Sequence, residues 1–219
     1  MPGFEDIKRS KQVRTYITKA DEALASLGYT EHSFGHVEFV SKRAGDYLVA
    51  LGYPAHQVEL ARIAGYLHDI GNVINRIDHA QSGAVMAFRI LDQMGFACED
   101  VATVISAIGN HDESTASPVN AVAAALILAD KTDVRRSRVR NRDMTTFDIH
   151  DRVNYAVTGS ETYFAEDGKA FVLKLDIDTS ISVVMEYFEI FLTRMLLCRR
   201  AADALGLRFK LIVNGQELL

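Results

Sequence analysis

The chain has 219 residues, 48% of them hydrophobic, enough for one substantial core and a small appendage. Charged residues make up 24% and the net charge is −5, an ordinary globular surface without the basic excess of a dedicated nucleic-acid binder. No run reaches the roughly 18 apolar residues of a membrane span, the charged start MPGFEDIKRSKQ lacks a signal-peptide core, and Cys98 and Cys198 make no disulfide framework, so a cytoplasmic chain without nucleic-acid or membrane partners is expected.

Helical periodicity dominates the first 157 residues. A helix is expected over 10–27, stopping at Gly28, and a second from Ser33 to Leu51, stopping at Gly52. A third runs from Pro54, suited to a first helical turn, to His68. Asp78 can cap a fourth reaching Met94, Asp100 to Gly109 makes a fifth, and Pro118 to Asp133 a sixth. The sixth carries AVAAALILA, apolar on every face, and should be the central buried helix. Beyond residue 157 the pattern changes. ETYFAED and AFVLKLDID read as two strands around Gly168, SISVVMEYFEIFLTRMLLCRRAADALG as a long amphipathic helix, and RFKLIVNG as a returning strand. The expected fold is mainly α, with a helical domain at 1–157. A small α+β module of about three antiparallel strands and one long helix follows at 158–219. An apolar helix beside a short sheet with open edges suggests self-association as a homodimer.

Two places in the helical part carry chemistry on their own. His68 and Asp69 follow the apolar segment ARIAGYL, where a chain turn can point both at one spot. Asp130 ends the run AVAAALILA, and a carboxylate there loses several kcal/mol of hydration unless a cation or hydrogen-bond donors compensate. His36 lies on the amphipathic stretch GHVEFVSKRAGDYLV and, taken alone, reads as an ordinary satisfied histidine. Imidazoles with carboxylates favour Fe, Mn, Co, Ni or Zn over Mg, which prefers oxygen ligands.

In chain order, GHVEFV, YLHDIGN, DHAQSGAVMA, AIGNHDE and ALILADKTD resemble the HD superfamily, named for its adjacent His-Asp pair, over residues 30–135. The resemblance implies a helical bundle with a core metal site of His36, His68, Asp69 and Asp130. It also implies that His79 and His111 complete a binuclear site, with Asp69 bridging the two ions. It further implies a phosphohydrolase that cleaves a phosphate ester or anhydride with metal-activated water, centred on Asp69. A nucleotide or dinucleotide polyphosphate is the substrate class expected first. Two alternatives share the ligand order or the domain: a di-iron oxygenase, and a non-catalytic nucleotide-binding signalling module. The common HDxGK form is broken, with Asn72 where the lysine would stand.

Three residues are candidates for substrate contacts. Lys131 follows Asp130 directly, so a phosphate at the site would lie near it. Arg135 opens the arginine-rich run 135–142 and could clamp an anion with its fork, although a solvated or salt-bridged face accounts for most of that run. His32 precedes His36 by four residues and would share its helix face. His56 reads as a solvated loop residue, His150 as an outlying candidate, and Asp112 as a surface neighbour of His111.

Overall fold

The computed structural model describes residues 2–219, which divide into two compact units, the first ending at Asp130 and the second starting at Lys131. In the first unit, α1 (Phe4–Arg9) and α2 (Lys11–Ser26) lead to α3 (Phe34–Ala50) and α4 (Ala55–Leu67). A 3-10 turn at Ile70–Val73 follows, then α5 (His79–Gln93), α6 (Cys98–Gly109) and α7 (Ala121–Lys131). The expected stops hold: the chain turns out of α2 and α3 at Gly28 and Gly52. Asp78 stands at the start of α5 as expected, but with a left-handed backbone (φ 56°) and no capping hydrogen bond from its side chain. Every residue of α7 from Ala123 to Ala129 is fully buried, as its uninterrupted apolar sequence requires.

Two glycines set how closely these helices approach. A Cβ on Gly65 of α4 would lie 2.7 Å from the Ser41 Cα of α3, so the two backbones touch there. The Ser41 hydroxyl donates to the Arg62 carbonyl across the same contact, at 2.8 Å. A Cβ on Gly71, in the 3-10 turn, would lie 2.0 Å from the His79 carbonyl oxygen and 2.5 Å from the Gly83 nitrogen. The turn after α4 is therefore pressed against the first two turns of α5.

The second unit begins with 3-10 turns at Arg136–Arg138 and Met144–Thr146 and with α8 (Ile149–Ala156). The sequence reading gave residues 131–157 to the helical domain, whereas here the segment packs with the C-terminal unit. It is tied down locally: Asp133, 2% exposed, receives the fork of Arg135, Arg138 Nη1 donates 3.1 Å to the Asp133 main-chain carbonyl, and the Arg136 guanidinium stacks over Tyr155 at 4.5 Å. The sheet follows as β1 (Val157–Phe164), β2 (Ala170–Ile177), α9 (Val184–Ala204), β3 (Arg208–Val213) and β4 (Gln216–Glu217), in the order β1-β2-β3-β4. The strands and the long helix stand where the sequence put them, with a two-residue fourth strand added. β1 and β2 form an antiparallel hairpin, but β3 runs parallel to β2. Parallel neighbours need a crossover of a dozen or more residues, and α9, with 21, supplies it. Tyr187, Phe191, Met195, Cys198 and Ala202 make the buried stripe of α9. β2, buried on most of its residues, is with β3 one of the two inner strands of the sheet.

No helix among the described residues is long and apolar enough to cross a membrane.

Candidate metal centre

The end of α4 places the His-Asp pair. His68 still has helical backbone angles, while Asp69 (φ −98°, ψ 0°) has left the helix, so the two side chains converge instead of pointing around it. The α3–α4 contact at Gly65 brings His36 against His68, with ring centroids 5.2 Å apart. The contact at Gly71 brings His79, the first residue of α5, to the other side of Asp69. His111, just beyond α6, packs edge-on against both His68 (5.0 Å) and His79 (5.1 Å). Asp130 arrives at the end of α7. All six expected metal residues therefore lie in one cluster within the first unit.

The two oxygens of Asp69 face different partners. Oδ2 lies 3.3 Å from His68 Nε2 and 3.6 Å from His36 Nε2. Asp130 Oδ1 closes that side, 3.3 Å from His36 Nε2 and 3.7 Å from His68 Nε2. Oδ1 of Asp69 turns the other way, 3.5 Å from His79 Nε2, which is itself 3.2 Å from His111 Nε2. Four donors at about 2.1 Å around a tetrahedral transition-metal ion lie about 3.4 Å from one another. The separations here match that spacing. By donor convergence the cluster holds two overlapping triads, His36 with His68 and Asp130, and His68 with Asp69 and His111.

The imidazoles are aimed by main-chain carbonyls, each three residues upstream. His68 Nδ1 donates to Gly65 O (2.8 Å), His79 Nδ1 to Arg76 O (3.0 Å) and His111 Nδ1 to Ile108 O (2.6 Å). A proton fixed on Nδ1 leaves the Nε2 lone pair directed into the cluster, the form that ligates a metal. Asn72 holds the Asp69 carboxylate, its Nδ2 donating 2.9 Å to Oδ1.

Burial makes the cluster demand a cation. His36, His68 and His111 are fully buried and Asp69 is 5% exposed. His68 Nε2 and Asp69 Oδ2 are both buried without a hydrogen-bond partner among the described residues. Burial opposes a charge on His68, yet the Asp69 and then the Asp130 carboxylates outweigh it and raise the imidazole above its usual range. Burial likewise opposes ionisation of Asp69, but His68 foremost, then His32 and His79, hold it well below the usual carboxylate range. The two carboxylates thus call for positive charge where the Nε2 atoms converge, and a divalent ion supplies it. The residues present fit a divalent metal.

The remaining candidates are placed as follows. His32 is not on α3: Ser33 is the cap of that helix, and His32 sits in the loop before it, ring edge-on to His36 at 5.4 Å. Lys131 is the last residue of α7 and 4% exposed, and Arg135 is engaged with Asp133, its Nη2 donating 3.0 Å to Oδ2. His56 lies in the first turn of α4 instead of a loop, paired with Asp100 at 2.6 Å. His150 is exposed on α8, and Asp112 accepts from the Ser114 hydroxyl. Sequence reasoning missed Arg76, whose Nη1 lies 3.4 Å from His79 Nε2 and whose carbonyl aims the same histidine. No periodicity or motif singles it out; the one pointer is its place a turn after the broken HDxGK pattern.

The chain is similar to known proteins over this stretch. The family model of the HD domain matches residues 29–135, which contain all six clustered residues. An uncharacterized protein of Methanocaldococcus jannaschii is 24% identical over 159 residues, covering 63% of this chain and 61% of its own length, so the similarity leaves more than a third of that relative unmatched. The crystal structure of a predicted HD superfamily hydrolase from an uncultured Thermotogales bacterium is 26% identical, with a TM-score of 0.46, over 60% of this chain and 73% of its own. Motif order, the donor cluster and the family match coincide over one stretch of sequence, and the chain carries an HD domain at residues 29–135.

Proposed function

We propose that the chain is a metal-dependent phosphohydrolase. It holds two first-row transition ions and cleaves a phosphate ester or anhydride, with a nucleotide or dinucleotide polyphosphate as the substrate class. The observation that carries this reading is the position of Asp69, whose two oxygens face two separate sets of nitrogen and oxygen donors. One set is His36, His68 and Asp130; the other is His79 and His111. When bound, such ions polarise phosphoryl oxygens and bring the pKa of a bound water toward neutrality. Around them the chain has a positioning task. Asn72 fixes the bridging carboxylate, the carbonyls of Gly65, Arg76 and Ile108 aim three imidazoles, and burial of the donors excludes competing water.

The test is metal stoichiometry read beside catalysis. Purified wild type should carry close to two transition ions per chain by elemental analysis, and His111→Ala should fall toward one, because the donors around His36 and His68 remain. Hydrolysis of a phosphodiester or phosphoanhydride should drop at least about tenfold, the scale expected when a group fixing an active metal is lost. One ion in both proteins would reduce the centre to a single-ion site. Two irons with O₂ uptake on an oxygen electrode, and no phosphate release, would replace the hydrolase with an oxygenase.

A further inference from the structure

We infer that Arg76 is the anion-binding residue of this centre, receiving a phosphate oxygen on the His79–His111 side; the inference rests on the reading of the cluster as a metal site for phosphorylated substrates. Arg76 is half-buried, in the loop between the 3-10 turn and α5, and its Nη1 lies 3.4 Å from both Asn72 Oδ1 and His79 Nε2. Both distances are longer than the 2.7–3.2 Å of a good N–H···O bond, so neither neighbour holds the group firmly. The guanidinium carbon stands 5.8 Å from the centroid of the Tyr29 ring, which supports one face of the plane. Among the described residues no carboxylate pairs with Arg76, and its Nε and Nη2 make no hydrogen bond within the protein. Contrast Arg135, whose fork is closed on Asp133 through Nε and Nη2. A partly desolvated guanidinium with most of its donors unused, next to a metal ligand, is arranged for an anion that is not part of the chain.

Charge points the same way. The cluster contributes two carboxylates, Asp69 and Asp130, and imidazoles that ligate a metal in their neutral form. One divalent ion cancels those carboxylates, so Arg76 then leaves the centre positive, and a second ion adds to the surplus. An anionic substrate reaching both the ions and the Arg76 fork offsets it. Asn72 links the two halves of this arrangement, donating to Asp69 through Nδ2 and lying against Arg76 through Oδ1.

The experiment titrates inorganic phosphate into Mn²⁺-loaded wild type, Arg76→Ala and Arg76→Lys by calorimetry, with metal content measured on the same samples. Metal content should be the same in all three, because the group that aims His79 is the Arg76 main-chain carbonyl, which both variants keep. Phosphate affinity should fall at least about tenfold in Arg76→Ala, the scale of a lost charge-assisted hydrogen bond, and recover in part with lysine, which restores the charge without the fork. On the best substrate, Arg76→Ala should raise KM more than it lowers kcat. Unchanged phosphate affinity at equal metal content would overturn the proposal, and so would loss of metal from both variants, which would make Arg76 a brace for His79. A wild type that binds phosphate through Arg76 but hydrolyses nothing would support the anion role while removing the hydrolase reading.

Discussion

Replacing Gly71 by alanine tests whether backbone contact, and not only the choice of ligands, builds the centre. The added Cβ would lie 2.0 Å from the His79 carbonyl oxygen and 2.5 Å from the Gly83 nitrogen, both main-chain atoms that cannot rotate away. Real contacts of this kind do not fall below about 3.0 Å, so the turn and the start of α5 must separate by about 1 Å. His79 moves with α5 while Asp69 stays with the turn, so their 3.5 Å approach opens by a similar amount. Metal–donor bonds tolerate about 0.2 Å, so a displacement several times larger should remove the ion on the His79 side. Overpacking should also destabilise the fold by about 1–3 kcal/mol, a drop in Tm of about 3–10 °C for a chain of this size. Elemental analysis and a thermal melt followed by circular dichroism measure both effects. On the proposed two-ion reading, the variant should hold about one ion fewer than wild type, and it should melt earlier. Full metal content together with an unchanged Tm would show that the α5 contact does not position His79, and the account of the site's assembly would fail.

Asp69→Ala should remove bound metal and, on the proposed function, all hydrolysis while leaving far-UV circular dichroism unchanged, since the two oxygens of Asp69 face the histidines on both sides of the cluster; equal metal content and activity would take Asp69 out of the centre. The second unit offers an acid-linked test at Glu186, which accepts hydrogen bonds from Arg152 and then Ser182 that bring its pKa down to about 2. A carboxylate depressed in the folded state stabilises it above the usual 4.5 and loses that contribution as the pH falls toward 2. Glu186→Gln should therefore weaken the decline of melting temperature with acid across that window, and superimposable wild-type and variant curves would refute the assignment.

Much of the candidate site was legible because its chemistry conflicts with its surroundings. A His-Asp pair closing one apolar segment and an aspartate closing another are uncomfortable without a cation, and that discomfort can be read in one dimension. The helix stops at Gly28 and Gly52 were legible for a local reason, the turn that each glycine permits. What escaped depends on distant parts of the chain. The direction of β3 follows from how far α9 carries the chain, which strand periodicity does not encode. The arginine-rich run reads as a solvated or salt-bridged face with one substrate candidate, but sequence does not give the partner: Arg135 and Arg138 both approach the buried Asp133 of their own segment. His32 looked like the start of α3 because its spacing from His36 suits a helix; Ser33 takes the cap and leaves His32 outside. Arg76 acquires meaning only when the fold brings it beside His79.

The hydrogen bonds that aim His68, His79 and His111 all end on main-chain oxygens, and this has a consequence for how the centre tolerates mutation. A carbonyl survives any change of side chain. Position 76, half-buried in a loop, can therefore drift in size or polarity without losing the acceptor that orients His79, whereas Ile108 is fully buried and its side chain is held by the core. Asn72 is different, since its hold on Asp69 ends on an amide that substitution deletes. Libraries built around this centre should accordingly find a sharp asymmetry: broad tolerance of metal retention at Arg76, and little at Asn72, Gly65 and Gly71.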